Sequence, residues 1–274
     1  MDLSIIILNY KSAGLTRQCL KSIREAEPNL EFEIFVVDNA SGDGVIPMVN
    51  EQFPKVKTLA APYNMGFAAG NNFGMKKASG RYIMILNPDI TVTPGALEKM
   101  VQFMDEHERV GLLAPQLLNP DKTVQNSCYR FPNMMIPVYR RTPLGKTEAG
   151  KAAINQYLMK DSDHNNTSEV DWCLGASIMM RKAAIDAVGM LDERYFMYFE
   201  DADWCRRFWS AGWKVVYFPE VKMVHYHVRQ SASVPWFLGI FQKISRIHIA
   251  SAIKYFWKFR GKQNLRLSSR SVNQ

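Results

Sequence analysis

Short apolar runs alternate with helical segments over the first 90 residues, and each run ends in polar residues. Residues 3–8 read Leu-Ser-Ile-Ile-Ile-Leu, and residues 34–37 and Tyr82–Leu86 are similar runs. Such runs, rich in β-branched residues and bounded by turn formers, are typical of strands buried on both faces of a parallel sheet. Their alternation with helices predicts a right-handed parallel α/β sheet.

The same reading places elements along the rest of the chain. We expect a third strand at 56–59, a strand at 171–180 and a last one at 214–218. Residues 119–170 are polar and contain proline, which predicts loops with one helix near 151–159. Helices are predicted at 14–27, 45–53, 66–78, 94–107, 183–188 and 201–211, and from residue 235 onward.

Polar residues close the predicted strands. Asn9, Asp38 and Asp89 each follow an apolar run. Because ligands of open α/β sheets bind at the carboxyl ends of the strands, these side chains are candidate ligand contacts.

Two of these positions allow more than one interpretation. The carboxylate of Asp38 could accept the imide N–H of a pyrimidine base, or it could cap its own turn. In Asn87-Pro88-Asp89, Pro88 restricts Asn87 to an extended conformation, which fixes how Asp89 is presented. Asp89 could hold Mg²⁺ or Mn²⁺ together with a diphosphate, or it could cap the helix that follows.

The densest cluster of functional side chains lies at residues 189–203, where an aromatic stretch ends in Glu200, Asp201 and Asp203. Acids at a helix start are common because the helix dipole favours them. Aromatic residues directly before them suggest instead a pocket wall, beside which a carboxylate could take a proton from a hydroxyl. His225 and His227 follow the last strand and would face opposite sides of it, so we expect one ligand and one packed histidine.

Taken in order, the motifs resemble those of family 2 glycosyltransferases with the GT-A fold, in the bacterial rhamnosyltransferase-like branch. The resemblance covers about residues 3–231. The motifs are Asn9-Tyr10, Val36-Val37-Asp38-Asn39-Ala40-Ser41-Gly42-Asp43-Gly44, Asn64-x-Gly66-Phe67-Ala68-x-Gly70-Asn71-Asn72-x-Gly74, Leu86-Asn87-Pro88-Asp89, Trp172-x-x-Gly175-Ala176, Gly189-x-Leu191-Asp192-Glu193, Glu200-Asp201-x-Asp203 and His225.

The resemblance implies a role for each of these positions. Asp38 would bind the nucleotide base, Asp201 would be the catalytic base, and Asp203 would position a neighbour or the acceptor. Asp89 would bind a divalent ion, with His225 completing its shell, and Asn87 stands where the family has a second aspartate. The remaining donor-site positions are Asn9, Tyr10, Asn39, Gly66, Asn71 and Asn87, and the acceptor-site positions are Trp172, Gly175, Glu200 and Asp203.

The implied activity is inverting transfer of one sugar from a nucleotide-diphosphate donor, with Mg²⁺ or Mn²⁺ as cofactor. The branch favours L-rhamnose from dTDP-rhamnose and a glycan or lipid-linked glycan acceptor. The Gln-x-x-Arg-Trp motif of processive synthases is absent, which argues against polymer extrusion. The alternatives are a UDP-hexose transferase of the same fold and a non-catalytic nucleotide-binding or partner-binding member. On this interpretation residues 1–95 bind the donor, 96–230 hold the acceptor and the catalytic base, and 231–274 form a tail.

Charge divides the chain in two. Residues 231–274 carry eight basic and no acidic side chains, whereas the remaining 26 basic residues are matched by 26 acidic ones. A basic helical tail with Trp236, Tyr255 and Trp257 suggests an anionic membrane surface; a helix packed on the domain is the alternative. The neutral body disfavours nucleic acid as a partner. Scattered cysteines and the lack of a long apolar segment predict a cytoplasmic protein, peripheral at the inner face of the membrane.

Overall fold

The computed structural model describes residues 1–226 and 243–262. The strands of these residues are β1 (Leu3–Asn9), β2 (Phe32–Asp38), β3 (Lys57–Ala60), β4 (Tyr82–Leu86), β5 (Ile90–Thr91), β6 (Val110–Leu118), β7 (Cys128–Tyr129), β8 (Ser168–Glu169), β9 (Trp172–Cys173), β10 (Ser177–Arg181) and β11 (Lys214–His225). The helices are α1 (Ala13–Glu25), α2 (Val45–Gln52), α3 (Gly66–Met75), α4 (Ala96–Glu106), α5 (Ile136–Arg141), α6 (Glu148–Tyr157), α7 (Lys182–Val188), α8 (Glu200–Ser210) and α9 (Lys243–Lys258), with a 3-10 turn at Pro143–Lys146.

The predicted parallel sheet forms one side of a larger mixed sheet. The strand order of the mixed sheet is β3-β2-β1-β4-β10-β6-β11-β5, and β8 pairs with β11. The four strands β3, β2, β1 and β4 are parallel, as the sequence predicts, and β6 is parallel to β11. β10 runs antiparallel between β4 and β6 and so joins the two parallel parts.

Helices cover both faces of this sheet. Ile5 and Ile7 of β1 face one core, which contains residues of α1, α2 and α4. Ile6 faces the other core, to which α3, α7, α8 and α9 contribute. Strands that are buried on both faces explain why the first runs of the sequence are continuously apolar rather than alternating.

Two glycines let α3 approach β1 closely. A Cβ added at Gly70 would lie 2.6 Å from Cδ1 of Leu8, and one at Gly74 would lie 2.6 Å from Cγ2 of Ile6. Gly70 and Gly74 therefore serve helix–sheet packing, which brings the first turn of α3 close to the carboxyl ends of the parallel strands.

The sequence-based prediction placed one helix within 119–170, whereas α5 and the 3-10 turn also lie there, and three of its errors concern long strands. It missed β6, which lies between β10 and β11. The strand predicted at 171–180 is two strands in different sheets, because β9 pairs with β7 whereas β10 pairs with β4 and β6. The last strand continues beyond residue 218 to His225, through a register irregularity between Phe218 and Lys222.

Helix α9 packs against the domain on the side of α8. Tyr255 is fully buried, and the side chain of Lys258 is only 18% exposed. The interpretation of this segment as a solvated basic helix with interfacial aromatic residues is therefore wrong for Lys258 and for Tyr255, because the packing of α9 turns both towards the domain. Trp236 of the predicted tail and His227 lie outside the described residues. No helix within residues 1–226 and 243–262 is long and apolar enough to cross a membrane.

Candidate active site

The loops that follow β1 and β2 are joined through the side chain of Asn9. Its Oδ1 accepts hydrogen bonds from the hydroxyls of Ser12 and Thr16, both at 3.0 Å, and its Nδ2 donates to Oγ of Ser41 at 2.8 Å. Nδ2 also lies 3.2 Å from both carboxylate oxygens of Asp43. Asn9 is fully buried, so it supports the loops after β1 and β2 from within.

Asp38 ends β2 beside this network and is half-buried. Its Oδ1 accepts hydrogen bonds from the backbone N–H of Ser41 at 3.0 Å and from the Ser41 hydroxyl. Both hydrogen bonds go to Oδ1, so Oδ2 can accept a hydrogen bond from a ligand. The turn-capping interpretation is therefore compatible with the base-binding one. Tyr10, which follows β1, is 45% exposed at the same edge.

Asn39 holds the loop that leads into α3. Its Oδ1 accepts the N–H of Met65 at 2.8 Å, and its Nδ2 donates to Oδ1 of Asn64 at 3.0 Å and to the carbonyl of Gly66 at 3.2 Å. Gly66 has a φ of +82°, and a Cβ there would lie 2.3 Å from the carbonyl oxygen of Phe196. The geometry favours a role for Asn39 and Gly66 in positioning this loop over direct contact with a nucleotide sugar.

Phe196 links this loop to the second half of the site. Its carbonyl accepts the N–H of Phe67 at 2.7 Å. One turn further along α3, Asn71 is fully buried and donates to the carbonyl of Phe67 at 2.9 Å. Its Oδ1 has no hydrogen-bond partner among the described residues. A buried amide oxygen without a donor is costly, so this atom is a candidate ligand contact.

Asp89 and His225 meet where β4 and β11 end. The carbonyl of Asp89 accepts the N–H of Tyr226 at 2.9 Å, and Oδ1 of Asp89 lies 3.4 Å from Nε2 of His225. Nδ1 of His225 lies 2.7 Å from Oε1 of Gln125. Since an amide oxygen only accepts, Nδ1 carries the hydrogen of this contact, and Nε2 is the ring nitrogen that faces Asp89.

These two side chains fit a divalent ion that takes its other ligands from a substrate. Ligand distances of about 2.1 Å place neighbouring ligand atoms about 3 Å apart, close to the separation of Oδ1 and Nε2. Within residues 1–226 and 243–262 there is no group of three or more His, Cys, Asp or Glu side chains that could hold a metal. The donor set therefore suits an ion shared with a diphosphate rather than one held by protein alone.

Asp201 lies in the first turn of α8, directly after a left-handed segment. Tyr198 and Phe199 have φ values of +73° and +67°, which are unfavourable for aromatic residues and typical of functional sites. Oδ2 of Asp201 accepts the N–H of Gly175 at 3.2 Å, and Oδ1 accepts the N–H of Ala202 at 2.8 Å. Burial raises the pKa of the Asp201 carboxyl to about 6, although the two hydrogen bonds act to lower it. A carboxyl tuned towards neutral pH is suited to accept a proton.

The loop between β9 and β10 connects the base to the Asn87-Pro88-Asp89 turn. The N–H of Gly175 binds Asp201, and the carbonyl of the next residue, Ala176, accepts the N–H of Asn87 at 2.8 Å. A Cβ added at Gly175 would lie 3.5 Å from Cβ of Asp201, in ordinary contact. The candidate base and the turn that carries Asp89 are therefore held by adjacent residues, Gly175 and Ala176.

Glu200 and Asp203, the other acids of this turn, differ from each other. Burial, and then the charge of Asp201, raise the pKa of the Glu200 carboxyl well above its usual range. Asp203 is fully buried, with Oδ2 accepting from Nε of Arg207 at 2.8 Å and Oδ1 lying 2.5 Å from Nζ of Lys258. With both oxygens paired, the structure favours the positioning role for Asp203 over acceptor contact.

Trp172 belongs to an aromatic cluster next to this loop. Its ring stacks on Tyr129 with centroids 4.4 Å apart, and its Nε1 donates to the carbonyl of Arg130 at 2.9 Å. Trp172 is buried, so its contribution to an acceptor wall is mainly to support Tyr129, which is partly exposed. Both residues lie in the small sheet of β7 and β9, next to Gly175.

Sequence reasoning missed two contributors to this site. Gln125 lies in a polar loop without any motif, and it contacts His225 only because the fold brings residues 100 positions apart together. Lys258 pairs with both Asp192 and Asp203. Its helical position suggested an exposed face, and only the packing of α9 reveals the ion pairs.

Comparisons with known proteins agree with this architecture. Residues 4–186 match the model of the family described as Glycosyl transferase family 2. The N-acetylglucosaminyl-diphospho-decaprenol L-rhamnosyltransferase of Mycobacterium tuberculosis is 24% identical over 93% of this chain and 86% of its own length. The rhamnosyltransferase WbbL of Escherichia coli K12 is 26% identical over 92% of this chain and 91% of its own length.

Solved structures show the same fold. S. aureus TarS in complex with UDP-GlcNAc aligns over 86% of this chain with a TM-score of 0.58 and 18% identity. GalNAc-T7 with UDP, GalNAc and Mn²⁺ aligns over 88% with a TM-score of 0.62 and 13% identity. The chain spans 61% and 47% of those two chains, less than two thirds of either. The predicted GT-A fold is confirmed, and the chain belongs to glycosyltransferase family 2, in its rhamnosyltransferase-like branch.

Proposed function

We propose that this glycosyltransferase moves a single L-rhamnose from dTDP-rhamnose to a hydroxyl of a lipid-linked or cell-surface glycan, with inversion. The observation that carries the proposal is the buried Asp201 carboxyl, held by the N–H of Gly175 beside the residue that fixes Asn87. This arrangement sets a proton acceptor next to the place where a diphosphate would leave.

In this mechanism Asp201 accepts the proton of the acceptor hydroxyl as its oxygen attacks the anomeric carbon from the face opposite the nucleotide. The new carbon–oxygen bond forms while the bond from that carbon to the diphosphate oxygen breaks, and the electron pair leaves with the nucleoside diphosphate. One displacement inverts the anomeric centre without a covalent enzyme intermediate. Mg²⁺ or Mn²⁺, held by Asp89 and His225, would offset charge on the departing diphosphate.

At the donor end, Oδ2 of Asp38 accepts the imide N–H of the base, and the exposed ring of Tyr10 flanks it. The other donor-site predictions act through structure. Asn9, Asn39 and Gly66 hold the loops, and Asn71 offers its buried oxygen. The raised pKa of the Glu200 carboxyl favours its neutral form, which limits the negative charge of the acidic turn.

The acceptor proposal comes from the relatives. The name of the M. tuberculosis relative describes an acceptor that carries a sugar on a polyprenyl diphosphate. An acceptor of that class would bring the enzyme to the inner face of the cell membrane as a peripheral protein. Single-residue transfer is part of the proposal, because the motif of processive synthases is missing.

A UDP-hexose transferase is the second candidate. The solved relatives TarS and GalNAc-T7 were obtained with UDP or UDP-sugars, which share the imide N–H that Asp38 would bind. Asp38 alone does not discriminate dTDP from UDP, so the choice of dTDP-rhamnose depends on the rhamnosyltransferase relatives.

The test is calorimetric titration of the full chain with dTDP, UDP, GDP and CMP, each with and without Mn²⁺. The proposal predicts tight binding of dTDP that requires Mn²⁺ and weaker binding of GDP and CMP. Preference for UDP would favour the second candidate, and binding without metal would remove Asp89 and His225 from the mechanism. Absence of binding by all four nucleotides would favour a non-catalytic, partner-binding protein.

A further inference from the structure

The inner face of α9 is fixed to the domain. The fully buried ring of Tyr255 lies 5.3 Å from that of Phe199, and the Ser251 hydroxyl donates to the carbonyl of Met197 at 2.9 Å. Nζ of Lys258 lies 2.7 Å from Asp192 and 2.5 Å from Asp203. These contacts set the rotation of the helix about its own axis, and hence which side chains face outward.

The outward face of α9 carries large apolar side chains. Ile249, Ile253 and Trp257 are 39%, 64% and 74% exposed. At 100° per residue they lie, together with Arg246 and Arg260, within about 80° of the helix circumference. We call these five residues the α9 stripe. From the sequence alone, Trp257 is one of several aromatic residues expected at a membrane interface. The exposure of Ile249 and Ile253 is seen only in the structure.

The chemistry of the stripe selects its partner. The guanidinium of Arg260 lies 5.8 Å from the Trp257 ring centroid, so a cation and an aromatic ring are presented together. Residues 231–274 contain no acidic side chain to oppose the exposed cations. Apolar side chains flanked by arginine, with tryptophan beside them, suit the boundary between acyl chains and anionic headgroups.

Other partners fit the stripe less well. In a symmetric dimer of this chain, a self-paired stripe would place arginines opposite arginines, because such an interface uses the same patch twice. Nucleic acid would pair with the arginines but would leave Ile249 and Ile253 in water, and the rest of the protein has no basic excess.

We propose that the α9 stripe docks the protein on an anionic phospholipid bilayer, with α9 lying in the plane of the headgroups. Ile249, Ile253 and Trp257 enter the acyl boundary while Arg246 and Arg260 contact lipid phosphates. The inner face of the helix keeps its contacts with Phe199 and Asp203, so docking does not disturb the turn that contains Asp201. Because this inference depends only on the geometry of α9, its test needs neither donor nor acceptor.

The test is co-sedimentation of the full chain with vesicles of phosphatidylcholine containing about 30 mol% phosphatidylglycerol, compared with phosphatidylcholine alone. We expect binding to the anionic vesicles, weak binding to the neutral ones, and a loss of several fold in about 0.5 M salt. Equal binding to both vesicles, or binding to neither, would overturn the proposal.

Two double variants test the stripe itself. Ile253→Ser with Trp257→Ser removes apolar area at unchanged charge, and Arg246→Gln with Arg260→Gln removes charge. Each should weaken vesicle binding by about tenfold or more, and the arginine variant should also lose much of the salt dependence. A matched control, Leu15→Ser with Lys21→Gln, changes exposed residues of α1 on the opposite face of the sheet and should bind like the wild type.

Thermal unfolding should be nearly unchanged in all these variants, since the altered side chains are exposed. If both stripe variants fold and still bind like the wild type, another part of the chain is responsible and the proposal is wrong. A concentration-dependent dimer that Ile253→Ser with Trp257→Ser abolishes, without vesicle binding, would identify a second copy as the partner instead.

Discussion

The donor end and the base end of the candidate site are built in opposite ways. At the donor end, the buried amide of Asn9 joins the loops after β1 and β2 through the hydroxyls of Ser12, Thr16 and Ser41. At the base end, buried acids lie next to a left-handed backbone segment. The contacts that hold these acids include residues distant in sequence, such as Lys258, which pairs with Asp203.

This difference has a physical consequence for function. Neutral hydrogen bonds between adjacent loops keep their geometry when distant parts of the chain change. Buried carboxyls with raised pKa values and aromatic residues at positive φ are unfavourable by themselves, so they persist only where surrounding contacts impose them. We therefore expect turnover to be more sensitive than donor binding to changes far from the site.

The largest effect is expected for Asp201→Asn. The variant keeps the size of the side chain but removes the proton acceptor, so kcat should fall by about 10²–10⁴-fold. Affinity for the donor nucleotide, measured by calorimetry, should be unchanged because Asp38, Asp89 and His225 are untouched. Parallel loss of nucleotide affinity would contradict the separation of the two ends.

The same variant has a predicted signature in stability. Burial raises the folded pKa of Asp201 to about 6 from 3.8, so the favourable contribution of the protonated form is lost as pH rises through this window. At pH 8 the Asp201→Asn variant should unfold at a higher temperature than the wild type, and at pH 4 the two should be close. A wild type more stable than the variant at pH 8 would argue against burial of an ionised carboxylate.

Next in size is Lys258→Met, which tests the remote support of the base end. The change leaves fully buried Asp203 with the Arg207 guanidinium and the Tyr195 hydroxyl, and it should lower the free energy of unfolding by about 2–3 kcal/mol, less than complete loss of a buried pair. We expect a lower kcat with unchanged nucleotide affinity. Lys243→Met, an exposed position on the same helix, is the matched control and should change neither quantity.

The smallest expected effect concerns the metal shell at the donor end. Gln125→Leu removes the acceptor that fixes the ring of His225 and should weaken Mn²⁺ affinity by about 10–100-fold, with the fold unaffected. The readout is the Mn²⁺ concentration that gives half-maximal nucleotide binding. Gln102→Leu, on the exposed surface of α4, controls for the substitution itself. An unchanged Mn²⁺ requirement would show that Asp89 and His225 do not hold the ion.

Local patterns were enough to predict the donor half of the fold. The strands β1, β2 and β4 are continuous apolar runs, and Asn9, Asp38 and Asp89 follow them at the ligand edge, as expected from the carboxyl ends of parallel strands. In this part of the chain periodicity and tertiary structure agree.

The second half does not follow such simple patterns. β6 contains Gly111 and Pro115, which are unfavourable in a central strand, and the partner strand has its register irregularity just after the Phe218–Pro115 pair. The apolar run before β10 hides a break at Gly175, whose N–H binds Asp201. Neither the Gln125–His225 contact nor the Lys258–Asp203 pair leaves a local signal, because each joins distant segments only after folding.

The most direct test of the central claim is the pH dependence of kcat/KM for sugar transfer, compared between the wild type and Asp201→Asn. Asp201 must be ionised to accept a proton, so the wild-type rate should fall below an apparent pKa near 6 and level off above it. The residual activity of the variant should lack this step. A step near pH 6 in both proteins, or in neither, would contradict Asp201 as the catalytic base.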